Sequence, residues 1–126
     1  MKIITAQEHQ ATDKTGVLEV ANDVDPRTLD LAGATRIDLQ FPVFTDGRAY
    51  SQAFLLRRRL GFSGELRATG DVLIDQLVQM QRTGFDVAVL AEGVDAGAAQ
   101  RQLNRYLGFY QGSAVDTQPL FAKVAA

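Results

Sequence analysis

Several kinds of chemistry are ruled out by residues this chain does not have. It contains no cysteine, which excludes disulfides, thiolate metal sites, thiol catalysis and iron-sulfur ligation by this chain alone. Its single histidine, His9, cannot build a zinc site without several carboxylates. Lysine occurs only at Lys2, Lys14 and Lys123, near the termini, and Ser51 has no histidine base nearby in sequence, so nucleophilic catalysis has no support. Gly93, Gly97 and Gly108 are wrongly spaced for a phosphate loop of the P-loop or dinucleotide type. A redox enzyme needs a carrier, and without a haem-ligand pair or a dinucleotide fingerprint the expected cofactor is none. No segment approaches the roughly 20 apolar residues of a membrane span, and the N-terminal stretch lacks the apolar run of a signal peptide. The expectation is therefore a cytoplasmic protein that does not use a membrane. With 13 Lys plus Arg against 15 Asp plus Glu, a net charge of -2 gives no electrostatic footprint for nucleic acid. The partners left are small molecules and local protein contacts.

What is present is a repeated unit. In 126 residues there is room for one domain with a real core. A Gly-Phe dipeptide recurs at Gly61-Phe62, Gly84-Phe85 and Gly108-Phe109, each time after a helical pattern, where Gly suits the left-handed stop and Phe packs back on the last turn. Upstream of the first stop, Ala49, Ala53, Leu56 and Leu60 form a helical stripe; upstream of the second, Leu73, Leu77 and Met80 do the same. A third helix is expected from about Asp95 to Leu107, marked by Ala99, Leu103 and Tyr106. Strands are predicted at Thr35 to Phe41, Glu65 to Thr69 and Asp86 to Leu90, with a weaker one at Val17 to Val20.

The βαβαβα order implies a parallel sheet with right-handed crossovers. Ile37, Leu39 and Phe41 alternate with Arg36, Asp38 and Gln40, and Leu66 and Ala68 with Glu65, Arg67 and Thr69, so one sheet face is apolar and the other polar. The fold class is α/β: a single domain with a parallel sheet of sequential β/α units, half-barrel-like or Rossmann-like, and helices mainly on one face. The concave polar face is left for a ligand, the N-terminal segment or a second subunit. Residues 1–14, without periodicity, are expected to be a solvated arm carrying His9; residues 15–112 form the domain and 113–126 a tail. Rim groups such as Phe41, Phe44 and Tyr50 would be poorly covered, which favours a homodimer.

In parallel α/β sheets ligands bind beyond the carboxyl ends of the strands. Three segments converge there: 44–48 with Asp46, Gly47 and Arg48; 69–71 with Gly70 and Asp71; and 91–95 with Glu92 and Asp95. Arg48, beside Gly47 and Ser51, suits an oxyanion, with Arg67 as a second cation. Asp46, Asp71 and Asp95 equally sit where N-caps are expected. A cation inside a short strand must find a partner, so Arg67 either pairs with Asp38 or Glu65 or meets an anion. If Asp38, Glu65 and Asp46 neutralise both arginines, the site is structural. The run Arg57-Arg58-Arg59 is expected to be a solvated helix edge or a contact for an acidic partner.

The stretch FPVFTDGRAYSQAFLLRRRLGFSGELRATGDVLIDQLVQMQRTGFD, residues 41–86, resembles the core of the bacterial family catalogued as domain of unknown function 934. The matching motif positions include Phe41, Pro42, Asp46, Gly47, Arg48, Ser51, Gly64, Glu65, Leu66, Arg67, Gly70, Asp71, Gly84 and Phe85. Ala49 and Phe54 stand where the family pattern has Gly and Arg, so a charge on that helix face is missing. Genes of that family commonly lie beside those for assimilatory sulfite reduction. The resemblance implies a cytoplasmic protein that helps sulfate or sulfite assimilation; with no redox carrier in the chain, the expectation is an accessory protein that binds a small oxyanion, sulfite or sulfate, or docks on the sulfite reductase machinery. The alternative it implies is an oxidoreductase, or another enzyme of the pathway, with a site completed at a dimer interface or by a partner. It brings no catalytic residues with it.

Overall fold

The computed structural model describes residues 1–43, 45–91 and 93–114, with side chains up to residue 106. Phe44 and Glu92, named above, lie outside the described residues, as do 115–126 of the expected tail. Residues Met1–Ala96 form one compact unit, and the described residues from Gly97 to Ala114 belong to a second. The first contains a five-stranded, all-parallel sheet: β1 (Lys2–Thr5), β2 (Val17–Val20), β3 (Arg36–Phe41), β4 (Glu65–Gly70) and β5 (Val87–Leu90), in the order β1-β5-β4-β3-β2. The expected sequential run from β2 to β5 is present. Its helices are α2 (Arg48–Phe54), extended by a wide π-helical turn over Leu55–Arg59, and α3 (Leu77–Thr83), preceded by a 3-10 turn at Ile74–Gln76.

The N-terminal arm is the main correction. Lys2–Thr5 pairs with β5 along its whole length, and Ala6–Ala11 forms a helix, α1. Helix α1 starts on a capping box in which the Thr5 hydroxyl accepts from Glu8 N–H (3.1 Å) and the Glu8 carboxylate accepts from Thr5 N–H (2.9 Å). Right-handed crossovers explain where α1 goes. From β2 to β5 the chain steps in one direction across the sheet, placing its connections on one face. The β1-to-β2 connection runs the opposite way, which sends it over the other face. Contacts agree: α2 packs on β3, with Tyr50 against Phe41 (ring centroids 5.1 Å), whereas His9 of α1 meets Arg67 and Asp38. Of the three occupants the polar face could accept, the N-terminal segment takes it.

Alternation within the strands behaves as expected: Ile37, Leu39, Phe41, Leu66 and Ala68 are fully buried beside Leu56, Leu77 and Met80. Phe41 is thus no exposed rim group, and it forms an aromatic cluster with Tyr50 and Phe85. The other face is buried too, at Arg36, Asp38 and Arg67, and near β1 it becomes apolar through Ile4, Val87 and Val89. The second unit contributes α4 (Ala96–Ala114), which runs through Gly108-Phe109; that third dipeptide is therefore no helix stop. Within α4, Ala99 and Leu103 are buried and Tyr106 is exposed. The first two stops hold, with Gly61 and Gly84 at positive φ and Phe62 and Phe85 buried behind them.

Arg57 departs from the expected solvated edge. Its guanidinium donates to the carbonyls of Gly84 (3.0 Å), Phe62 (2.8 Å) and Gly64 (2.7 Å) and pairs with Asp86, whose carboxylate also accepts from Leu66 N–H. The side chain ties the end of α2 to the starts of β4 and β5. Arg58, by contrast, is exposed and lies over the Phe54 ring. At Gly84, φ is +110°, and an added Cβ would stand 2.6 Å from Arg57 Cγ. Gly84→Ala should therefore cost about 2 kcal/mol through backbone strain plus displacement of the clamp. Urea unfolding should show a lower midpoint with an unchanged slope, and an unchanged midpoint would contradict this account.

Candidate functional site

The residues expected to form one site fall into two clusters. At the carboxyl ends of the strands, the Asp46 carboxylate accepts from Arg48 N–H (3.0 Å) and from the Arg48 guanidinium, with an ion-pair distance of 2.7 Å, and also from the Asn22 amide. Gly47, not Asp46, occupies the N-cap position of α2. Asp46 nevertheless satisfies the first helical N–H from one residue further out. Those bonds hold its carboxyl down to a pKa of about 2, Arg48 being the main cause. Ser51 is exposed on α2. Asp71 is not at an N-cap position, since Leu73 and Gln76 hold those of the following turn and of α3; its backbone N–H donates to Phe41 O at 2.7 Å. Asp95 directly precedes α4, where a cap was expected. This cluster joins the loops after β2 and β3 and leaves Arg48 with its counter-charge supplied.

Arg67 lies elsewhere, in the buried charge array between β3 and β4 beneath α1. Register pairs Arg36 with Glu65 and Asp38 with Arg67, so each charge has an opposite charge across the ladder and another two residues along its own strand. Arg36 donates to Asp38 at 2.8 and 3.0 Å, and Arg67 to Glu65 at 2.7 Å. With Asp46 on Arg48 and Glu65 on Arg67, both arginines of the expected site have carboxylate partners, which is the condition under which the Arg48–Arg67 site is structural. The Nη1 of Arg67 turns instead to neutral acceptors, His9 Nδ1 at 2.9 Å and, longer, Thr12 Oγ1 at 3.5 Å. Arginine can only donate, so His9 Nδ1 must accept, and the imidazole carries its proton on Nε2, 3.8 Å from Asp38 Oδ2. Burial pushes the His9 pKa down, with Arg67, Arg36 and Lys14 adding to this effect and Asp38 opposing it.

Beside this array is a cavity of about 340 Å³ lined by Lys2, Ile4, Glu8, Thr12, Glu65, Arg67 and Val87. Lys2, Val87 and Arg67 lie in one row across β1, β5 and β4. Two cations thus flank an apolar floor, with Cα atoms roughly 10 Å apart by strand spacing. Lys2 makes no ion pair among the described residues; Glu65 holds Arg67, and Glu8 is engaged with Thr5, whose hydrogen bonds lower its pKa with a smaller contribution from the Lys2 charge. Sequence reasoning missed Lys2, Glu8, His9 and Thr12 because the N-terminal stretch read as an arm. The Thr5-x-x-Glu8 capping box was the available signal. Among the described residues no group of three or more His, Asp or Glu side chains could hold a metal ion, and no helix is long and apolar enough to cross a membrane.

Comparison with known proteins gives a family. The profile of the bacterial proteins of unknown function DUF934 matches residues 16–121. The chain belongs to this family. No curated protein and no solved structure matches it. The match spans β2 to β5 and thus both arginines of the expected site, while β1 and α1 lie ahead of it.

The two clusters differ in their response to acid. The folded pKa of His9 is depressed, so the folded state takes up this proton less readily than the unfolded chain. Its contribution to stability should be complete above about pH 6.5 and decline as pH falls from there toward the folded value. The lone histidine gives one set of imidazole NMR signals, and their midpoint should fall below 6.5. Asp46 behaves as a depressed carboxylate: its contribution should be complete above about pH 4 and vanish as pH drops toward 2. The difference between wild type and Asp46→Asn in thermal unfolding should shrink over that window and stay constant above it.

Proposed function

We propose that this protein is a cytoplasmic accessory protein of assimilatory sulfate or sulfite reduction that binds a small oxyanion, and that the anion sits in the cavity between Lys2 and Arg67. The pathway rests on the resemblance carried by residues 41–86. The location rests on one observation: at this cavity the cations are not all used up by carboxylates, whereas Arg48 is held by Asp46. Lys2 has no ion pair among the described residues, and Arg67 gives Nη1 only to neutral acceptors. A planar guanidinium and a mobile ammonium on opposite sides of Val87 suit a tetrahedral or pyramidal anion. Large apolar side chains exposed at Val43, Phe54, Leu73 and Ile74 support assembly, either as a homodimer or by docking on the reductase machinery.

A thermal-shift series with sulfate, sulfite, adenylyl sulfate, flavin and nicotinamide cofactors tests the proposal. Oxyanions should raise the Tm of the wild type. Lys2→Ala should abolish that rise without changing the unliganded Tm, since an exposed lysine without an ion pair contributes little to folding. Arg48→Ala should keep the rise. Stabilisation by a cofactor and not by oxyanions would turn the assignment toward the oxidoreductase alternative. Loss of the response in Arg48→Ala alone would return the site to the turn at residues 46–48. Light scattering at micromolar concentration should show a dimer, and a monomer throughout would remove the homodimer.

A further inference from the structure

We propose that His9 is a proton-linked switch of the cavity, so that anion binding at Lys2 and Arg67 is coupled to protonation of the imidazole. This rests on the oxyanion reading of the same cavity and adds its regulation. The geometry begins with Arg67 Nη1, which donates to His9 Nδ1 at 2.9 Å and lies 3.5 Å from Oγ1 of Thr12; Arg67 and Thr12 both line the cavity. Arg67 therefore links the imidazole to the cavity.

When a solvent proton binds Nδ1, the lone pair that accepted from Arg67 is consumed. Two N–H groups, one on each side chain, then face each other, and Arg67 Nη1 is left with only the longer contact to Thr12 Oγ1. An oxyanion offers several acceptor oxygens and negative charge, and it can take both donors together. The remaining imidazolium N–H on Nε2 points to Asp38 Oδ2 at 3.8 Å, so a carboxylate is already in position for the new charge.

The charges around His9 set the direction of the coupling. From β4 come Arg67 and, through it, Glu65; from β3 come Asp38 and Arg36; from its own segment come Glu8 and Lys14. Toward β1 and β5, the neighbours of α1, the charged group is Lys2, while Val87 and Val89 are apolar. Without an anion, protonation adds a cation to a half-buried place already holding Arg67 and Arg36, and the depressed His9 pKa agrees with that opposition. With an anion bound, the opposition is relieved. By reciprocity the proton must favour the anion as much as the anion favours the proton.

Sulfate is the probe, because its charge does not change between pH 5.5 and 7.5. In the wild type, calorimetric affinity for sulfate should tighten about fivefold or more from pH 7.5 to 5.5, a typical coupling between two sites. The NMR midpoint of His9 should rise when sulfate is added. His9→Gln keeps an acceptor for Arg67 but cannot titrate, and its sulfate affinity should be flat across the same range. Sulfate binding that is independent of pH, with an unmoved His9 midpoint, would overturn the coupling and leave the oxyanion site standing. An equal pH dependence in His9→Gln would also overturn it. No sulfate binding at any pH would overturn the switch and the oxyanion site together. If His9→Gln fails to fold, the wild-type NMR titration decides alone.

Discussion

The arrangement of this sheet depends on a square of charges, buried Arg36 and Asp38 on β3 facing half-buried Glu65 and buried Arg67 on β4. Placing ions under a helix is costly, and each survives there only because opposite charges lie both across the ladder and along the strand. Removing Asp38 would strand buried Arg36, at a cost of about 3 to 5 kcal/mol typical of a broken buried pair. The square also fixes register. A slip of one residue between β3 and β4 would turn Ile37 and Leu39 toward the charges and send arginines into the apolar core.

Covering that square is the work of the N-terminal segment, and chain topology permits it. With β1 at the far edge beside β5 and β2 at the opposite edge, the connecting segment has to cross the sheet on the face that α2 and α3 leave open. Helix α1 is only six residues long, too short to be stable by itself in water. Its hold comes from the capping box, the β1–β5 ladder and the His9 contacts. The small apolar cluster of Ile4, Val87 and Val89 anchors one end of the cover, and the charged square meets the other. The cavity opens where these two surfaces join, which explains its apolar floor and cationic flanks.

Two other polar clusters act as fasteners at the two ends of the strands. At the amino ends Arg57 gathers three carbonyls and Asp86, satisfying backbone acceptors that the wide turn after α2 and the glycine stops leave open. At the carboxyl ends Asp46 joins Asn22 to Arg48 and the start of α2. These fasteners account in structural terms for the DGR motif and for the first arginine of RRR: Arg48 and Arg57 are engaged with the chain itself. The proposed oxyanion falls instead to a less conspicuous pair, Lys2 and Arg67.

The sequence by itself determined the local elements and their general arrangement. Period-2 alternation in β3 and β4, helical stripes before Gly61 and Gly84, and the glycine stops were enough for a parallel α/β sheet with two unlike faces, because each signal acts within a few residues. Gly108 shows the limit of such a signal, since α4 continues through it. Tertiary structure decided what no local pattern carries: β1 lies beside β5, Arg67 meets His9 58 positions away, and Arg48 and Arg67 belong to different clusters. A short strand such as Lys2–Thr5 has too few residues to show a period, and its place at the sheet edge is set by hydrogen bonds to a segment more than eighty residues distant. The partner of a charged side chain is likewise a matter of register and crossover direction, which exist only once the whole sheet has formed.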